Sequence, residues 1–106
     1  MKNEFGVTLD RNGYAPSILH VFDHDCYVCC RRIPNLQRHE VFHGSDRTKS
    51  KNFGLWINVC PECHYRIHNC DGSLDLKLKS EAQGIAEAHY GWTHDDFRRW
   101  FRKSYI

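Results

Sequence analysis

Two C-x-x-C pairs, short strand-forming runs that lead into them, and a helix-periodic final third predict a small α+β domain stapled by metal. With 106 residues the chain has room for one domain over 1–106, with a core at about 24–70 and a helical segment at about 74–104. Hydrophobic residues make up 41% and charged residues 26%, ordinary globular usage that excludes wholesale disorder and low-complexity chains. No apolar run approaches the ~18–20 residues a membrane helix needs, and Met1-Lys2-Asn3-Glu4 leads into no signal-peptide stretch. The expectation is a soluble, cytoplasmic protein with no membrane partner.

Taken in order, Phe5, Val7 and Leu9 alternate before Asp10-Arg11-Asn12-Gly13, whose Asn-Gly pair signals a tight turn and a short N-terminal hairpin. The apolar run Ile18-Leu19-His20-Val21-Phe22 fits either a short strand or one helical turn. Gly54 to Val59 is rich in strand formers and runs straight into Cys60, so it reads as a buried strand. After Asp71-Gly72-Ser73, Leu74, Leu76 and Leu78 alternate like a strand, while Leu74, Leu78, Ala82, Ile85 and His89 share one helical face. Length favours a helix; a shorter one opening on a Ser80–Gln83 capping box, with Gly91 past its end, is the alternative. Thr93 with Asp96 resembles a capping box, and Phe97, Trp100, Phe101 and Ser104 follow at helical spacing as a core-facing stripe.

Six cysteines and eight histidines in so short a chain decide the chemistry. In an unexported protein thiols stay reduced, so the cysteines point to metal rather than disulfides. Cys26-Tyr-Val-Cys29 and Cys60-Pro-Glu-Cys63 are separated by 30 residues. Each knuckle turns two thiolates toward one point, and two knuckles close a tetrahedral, structural Zn²⁺ site. Cys30 competes with Cys29 as a ligand, and Cys70 is left over.

Between the knuckles lies Arg38-His39-Glu40-Val41-Phe42-His43-Gly44, and His64-Tyr65-Arg66-Ile67-His68 follows the second. On a helix His64 and His68 stand at i and i+4 and can grip one cation. A third ligand from the His39 region would leave positions open for water and a phosphate oxygen, as metal-assisted hydrolysis requires. Net charge is only +2, but Arg31 to Lys51 holds six bases against two acids, and Arg98 to Lys103 holds four bases and no acid. Two such zones either follow a phosphate backbone or are simply solvated faces.

C-x-x-C, a His-centred motif and a strand running into C-x-x-C-H-x-x-x-H resemble the HNH endonucleases, and within them the group found in phage and prophage genomes. Softer likeness lies in Gly13 to Ile18, in Arg47 to Leu55, in LDLKLKSEAQ with its later Tyr-Gly, and in the terminal aromatic, basic helix. The resemblance implies a ββα-metal (His-Me finger) fold. It makes Cys26, Cys29, Cys60 and Cys63 the zinc ligands, and gives His64 and His68 a catalytic ion such as Mg²⁺, Mn²⁺ or Ni²⁺. In the family an acid or His that binds the ion precedes a His that acts as base. Here the pair is His39-Glu40. Either His39 is the third ligand and Glu40 stands in the base position, or His39 is the base and Arg38 falls where a ligand should be. The family's middle Asn is replaced by Leu55, so the loop must be pinned by Asn52, Asn58 or backbone alone.

The implied function is hydrolysis of DNA phosphodiester bonds, nicking with weak sequence preference, with Arg38, Arg47, Lys49 and Lys51 on flanking phosphates. A phage or prophage origin would place it in the bacterial cytoplasm, with other phage proteins as possible partners. A catalytically inactive, zinc-stapled nucleic-acid-binding module or phage assembly adaptor is the competing expectation.

Overall fold

The computed structural model describes residues 1–20 and 24–106, so Val21 and Phe22 of the apolar run lie outside the described residues. Among those described, the fold is α+β, with a two-stranded sheet and four α-helices. Strand β1 (Gln37–Glu40) leads through a 3₁₀ turn (Gly44–Asp46) into α1 (Arg47–Asn52). Strand β2 (Trp56–Val59) runs into α2 (Pro61–Asn69), followed by α3 (Gly72–Tyr90) and α4 (His94–Phe101). The strands pair antiparallel with Gln37 opposite Val59 and His39 opposite Ile57. Aromatic and branched residues make β2 a strand, and it is nearly sealed, with Ile57 and Val59 at 0% exposure. Cys60 ends it: its sulfur accepts from the Cys63 N–H at 3.4 Å and Pro61 takes the first helical position of α2.

The long reading of residues 72–90 holds. Asp71 caps α3 by accepting from the Leu74 N–H at 3.0 Å, Ser80 sits within the helix rather than at its start, and Gly91 closes it in the left-handed region at φ 70°. Leu78, Ala82 and Ala86 form its buried face. The Thr93–Asp96 capping box of α4 forms in both directions, at 3.1 and 2.9 Å. Phe97 and Phe101 of α4 are buried against Phe42, with ring centroids 5.3 and 4.7 Å away.

The N-terminal hairpin is a correction. Its turn exists, with the Gly13 N–H donating to the Asp10 carbonyl at 3.0 Å and the Asp10 N–H to the Tyr14 carbonyl at 2.9 Å, but no strand continues from it on either side. The Asp10 carboxylate takes the N–H groups of Asn12 and Tyr14, and Ala15 donates to Lys51 of α1, so the backbone is satisfied by a side chain and the body of the fold. An isolated antiparallel bridge, Lys2 with Thr8, closes an earlier turn instead. Gly54 has a stricter role: at φ 73°, a Cβ there would stand 2.4 Å from the Pro16 carbonyl oxygen, where the N-terminal segment crosses the start of β2. Among the described residues no helix is long and apolar enough to cross a membrane.

Candidate metal centres

The first knuckle is a loop tied to the sheet by the Tyr27 N–H, which donates to the Asn58 carbonyl at 2.9 Å. The second is the first turn of α2. In each, an N–H donates to the leading sulfur, Cys29 to Cys26 at 3.5 Å and Cys63 to Cys60 at 3.4 Å. All four sulfurs lie within 4.8 Å of one another. The Cys29 and Cys60 sulfurs are 3.8 Å apart, the edge of a tetrahedron built on bonds of about 2.3 Å. The group could therefore hold zinc. Its thiols are pulled in opposite directions: the Arg31 N–H lowers Cys29 to about 6, while burial and then the other three sulfurs push Cys63 up. Such crowding is relieved by one cation shared among the four. The Cys60 and Cys29 sulfurs beside Arg31 in turn raise its pKa. Cys30 is exposed and outside the group, and so is Cys70.

The second cluster lies where β1 meets α2. His64 and His68 project from one face of α2, and His39 comes from β1, its ring centroid 5.4 Å from that of His64 and 5.0 Å from that of His68. One nitrogen from each ring lies within 4.8 Å of the others. His39 is 1% exposed, and neither of its ring nitrogens has a hydrogen-bond partner. An unpartnered buried polar atom costs about 1–3 kcal/mol, so a pair of them on one ring calls for a ligand. Burial, and then the rings of His68, His64 and His43, hold the His39 pKa down to about 3, which keeps its lone pair free. His64 is lowered as well, by burial and by His68, and its Nδ1 donates to Gln37 Oε1 at 2.8 Å, leaving Nε2 for a cation. The three histidines share a cavity of about 360 Å³ with His43, Glu40, Arg38 and Arg47.

No protein-family model, no curated protein and no solved structure matches this chain.

The residues singled out in the sequence fare differently. His39, His64 and His68 are brought together, with Glu40, Arg38 and Arg47 on the cavity wall. Glu40 is buried and accepts from Arg47 Nε at 2.6 Å. Lys49 is not in the cavity; its ammonium donates to the Trp100 carbonyl at 2.6 Å, a cation at the C-terminal end of α4. Lys51 lies 4.8 Å over the Tyr14 ring. The second basic zone is largely ion-paired: Arg98 with Asp95, Arg99 with Asp96, and Arg102 with Asp46. The loop before β2 is pinned by the Ser50 side chain together with backbone bonds, the Leu55 N–H donating to the Ser50 carbonyl at 2.8 Å and the Val41 N–H to the Leu55 carbonyl at 3.1 Å. The Ser50 hydroxyl donates to the Leu55 carbonyl at 2.5 Å and accepts from the Phe42 N–H at 3.2 Å.

Two residues that sequence reasoning did not single out stand beside the histidine cluster. His43 stands 5.1 Å from His68, centroid to centroid, and its Nε2 meets Asp75 Oδ1 of α3 at 3.1 Å. Asp75 is held in turn by Lys79 at 3.0 Å. The usable signal was His43-Gly44, since the positive φ of Gly44, 72°, turns the chain directly after the histidine.

Proposed function

We propose that this chain is a metal-dependent nuclease of the ββα-metal (HNH) kind, in which β1, β2 and α2 present a histidine triad that hydrolyses DNA phosphodiester bonds. The observation that carries the reading is His39, a buried imidazole with both nitrogens unpartnered, facing two further imidazoles in an open, arginine-lined cavity. His39, His64 and His68 would hold a divalent ion such as Mg²⁺, Mn²⁺ or Ni²⁺, which would supply Lewis acidity for the charge that develops on the phosphoryl oxygens. His39 is a ligand in this scheme and not the base. Glu40 occupies the family's base position, but it is engaged by Arg47, and its role is to hold that guanidinium toward a phosphate. The proton acceptor for the attacking water is His43, an imidazole oriented by a carboxylate. Arg38 binds the flanking phosphate.

The engagement of Glu40 by Arg47 also favours a second reading, a zinc-stapled nucleic-acid-binding module without catalysis. Purified protein incubated with plasmid and Mg²⁺, Mn²⁺ or Ni²⁺ separates the two. Nicked circles should accumulate only with a divalent ion present, and His39→Ala and His68→Ala should abolish them while each variant keeps one tight zinc per chain. A parent protein as inert as those variants, in every ion, would leave the binding module standing.

A further inference from the structure

Arg38 walls two cavities. One holds the histidine triad; the other, also about 360 Å³, is walled by Leu9, Tyr14, Pro16 and Trp56. The guanidinium lies 4.4 Å from the Tyr14 ring centroid and 4.7 Å from that of Trp56, and Arg38 Nη1 donates to Asp10 Oδ2 at 3.3 Å. The two rings meet edge to face at 5.6 Å, and Trp56 Nε1 is anchored on the Ala15 carbonyl at 2.7 Å. These contacts fix the guanidinium before any ligand arrives. The carboxylate in this wall, Asp10, already serves Arg38 and two backbone N–H groups, while Lys51 adds a second cation over Tyr14.

A cleft with a flat apolar side, cationic at its border with the candidate hydrolytic cavity, matches a nucleotide whose base is exposed. A duplex offers its outside charge but keeps its base faces stacked inward, whereas an unpaired nucleotide offers both charge and a π-face. We propose that the Tyr14–Trp56–Arg38 cleft takes an unpaired base next to the phosphate in the histidine cavity, making single-stranded or locally melted nucleic acid the preferred substrate. This rests on the nuclease reading for its place in the reaction, yet it is measured by binding alone.

Fluorescence anisotropy without added divalent ion, at one fixed salt concentration, compares a labelled oligothymidylate with a duplex of equal length. The parent should bind the single strand roughly tenfold tighter or more, the effect of a base stacked on an aromatic or guanidinium face. Tyr14→Ala should remove most of that preference and leave duplex binding within about twofold, and Tyr14→Phe should restore it. Equal or tighter duplex binding by the parent overturns the proposal without recourse to any variant, as does equal weakening of both ligands by Tyr14→Ala in a protein with unchanged melting. Strand-selective binding without cleavage would sink the nuclease reading alone; metal-dependent cleavage with no strand preference would sink this one alone.

Discussion

Cys30 follows the first knuckle at φ 66°, in the left-handed region where a side chain meets its own backbone. Its N–H donates to the Cys26 carbonyl at 2.8 Å, so the turn that aims Cys26 and Cys29 depends on this conformation. Glycine would adopt it without strain. Replacement relieves about 1–2 kcal/mol of left-handed strain and costs about 0.5–1 kcal/mol in added freedom of the unfolded chain. Cys30→Gly should therefore keep full zinc content and melt slightly higher, whereas Cys29→Gly should lose the metal; thermal melts with zinc counting read both. A loss of zinc in Cys30→Gly would mean that the exposed thiol is a ligand after all. C-x-x-C spacing favours Cys29 over Cys30 as the commoner knuckle, and the winding of the turn places Cys29, not Cys30, in the group of four sulfurs.

At the scale of elements, Ser50 of α1 links the end of β1 to the strand that pairs with it. The residue is 0% exposed, and its hydroxyl bridges the Phe42 N–H to the Leu55 carbonyl. Ser50→Ala leaves the Phe42 N–H buried without an acceptor, at a cost of about 1–3 kcal/mol. Because Phe42 lies between His39 and His43, the variant should also bind a second divalent ion more weakly than the parent at equal zinc content, as calorimetry would show. The α4 capping box gives a pH signature. The Thr93 N–H holds the Asp96 carboxyl below its ordinary 3.8, so its contribution is present above that unfolded value and is lost as pH falls through the lower folded one. An acid titration of stability should show Asp96→Asn losing less than the parent in that window; parallel curves would count against the cap. Elements written in local spacing were legible: the α4 box, the i, i+4 histidines of α2 and the β2 strand. The α1 helix and its Ser50 pin were not, since RTKSKN carries no apolar periodicity and its meaning depends on partners five and eight residues away in sequence and across the loop in space.

Across the whole molecule, the sulfur cage and the histidine cluster are coupled through α2. Cys60 caps this helix, Cys63 lies in its first turn, and His64 and His68 follow on the same element. The other half of the cage reaches β2 through Tyr27 and Asn58, and β2 in turn fixes the register of β1 and so the position of His39. Long-range contacts such as Asp75 to His43 and Lys49 to Trp100 have no signature in the sequence, because α3 and α4 supply them from remote segments. The knuckles, by contrast, were readable outright. A structural zinc contributes on the order of 10–16 kcal/mol in small peptides, as much as the whole stability of about 5–15 kcal/mol typical of a domain. Removal with a strong chelator should therefore collapse the far-UV helical signal in one cooperative step and abolish binding of a second ion, and one equivalent of Zn²⁺ should restore both. Cys60→Ser should reproduce the chelated state, and His68→Ala should not, since it lies outside the cage. If the helical signal survives chelation, the apolar core around Phe42, Phe97 and Phe101 holds the fold by itself, and the dependence of the histidine triad on the cage is refuted.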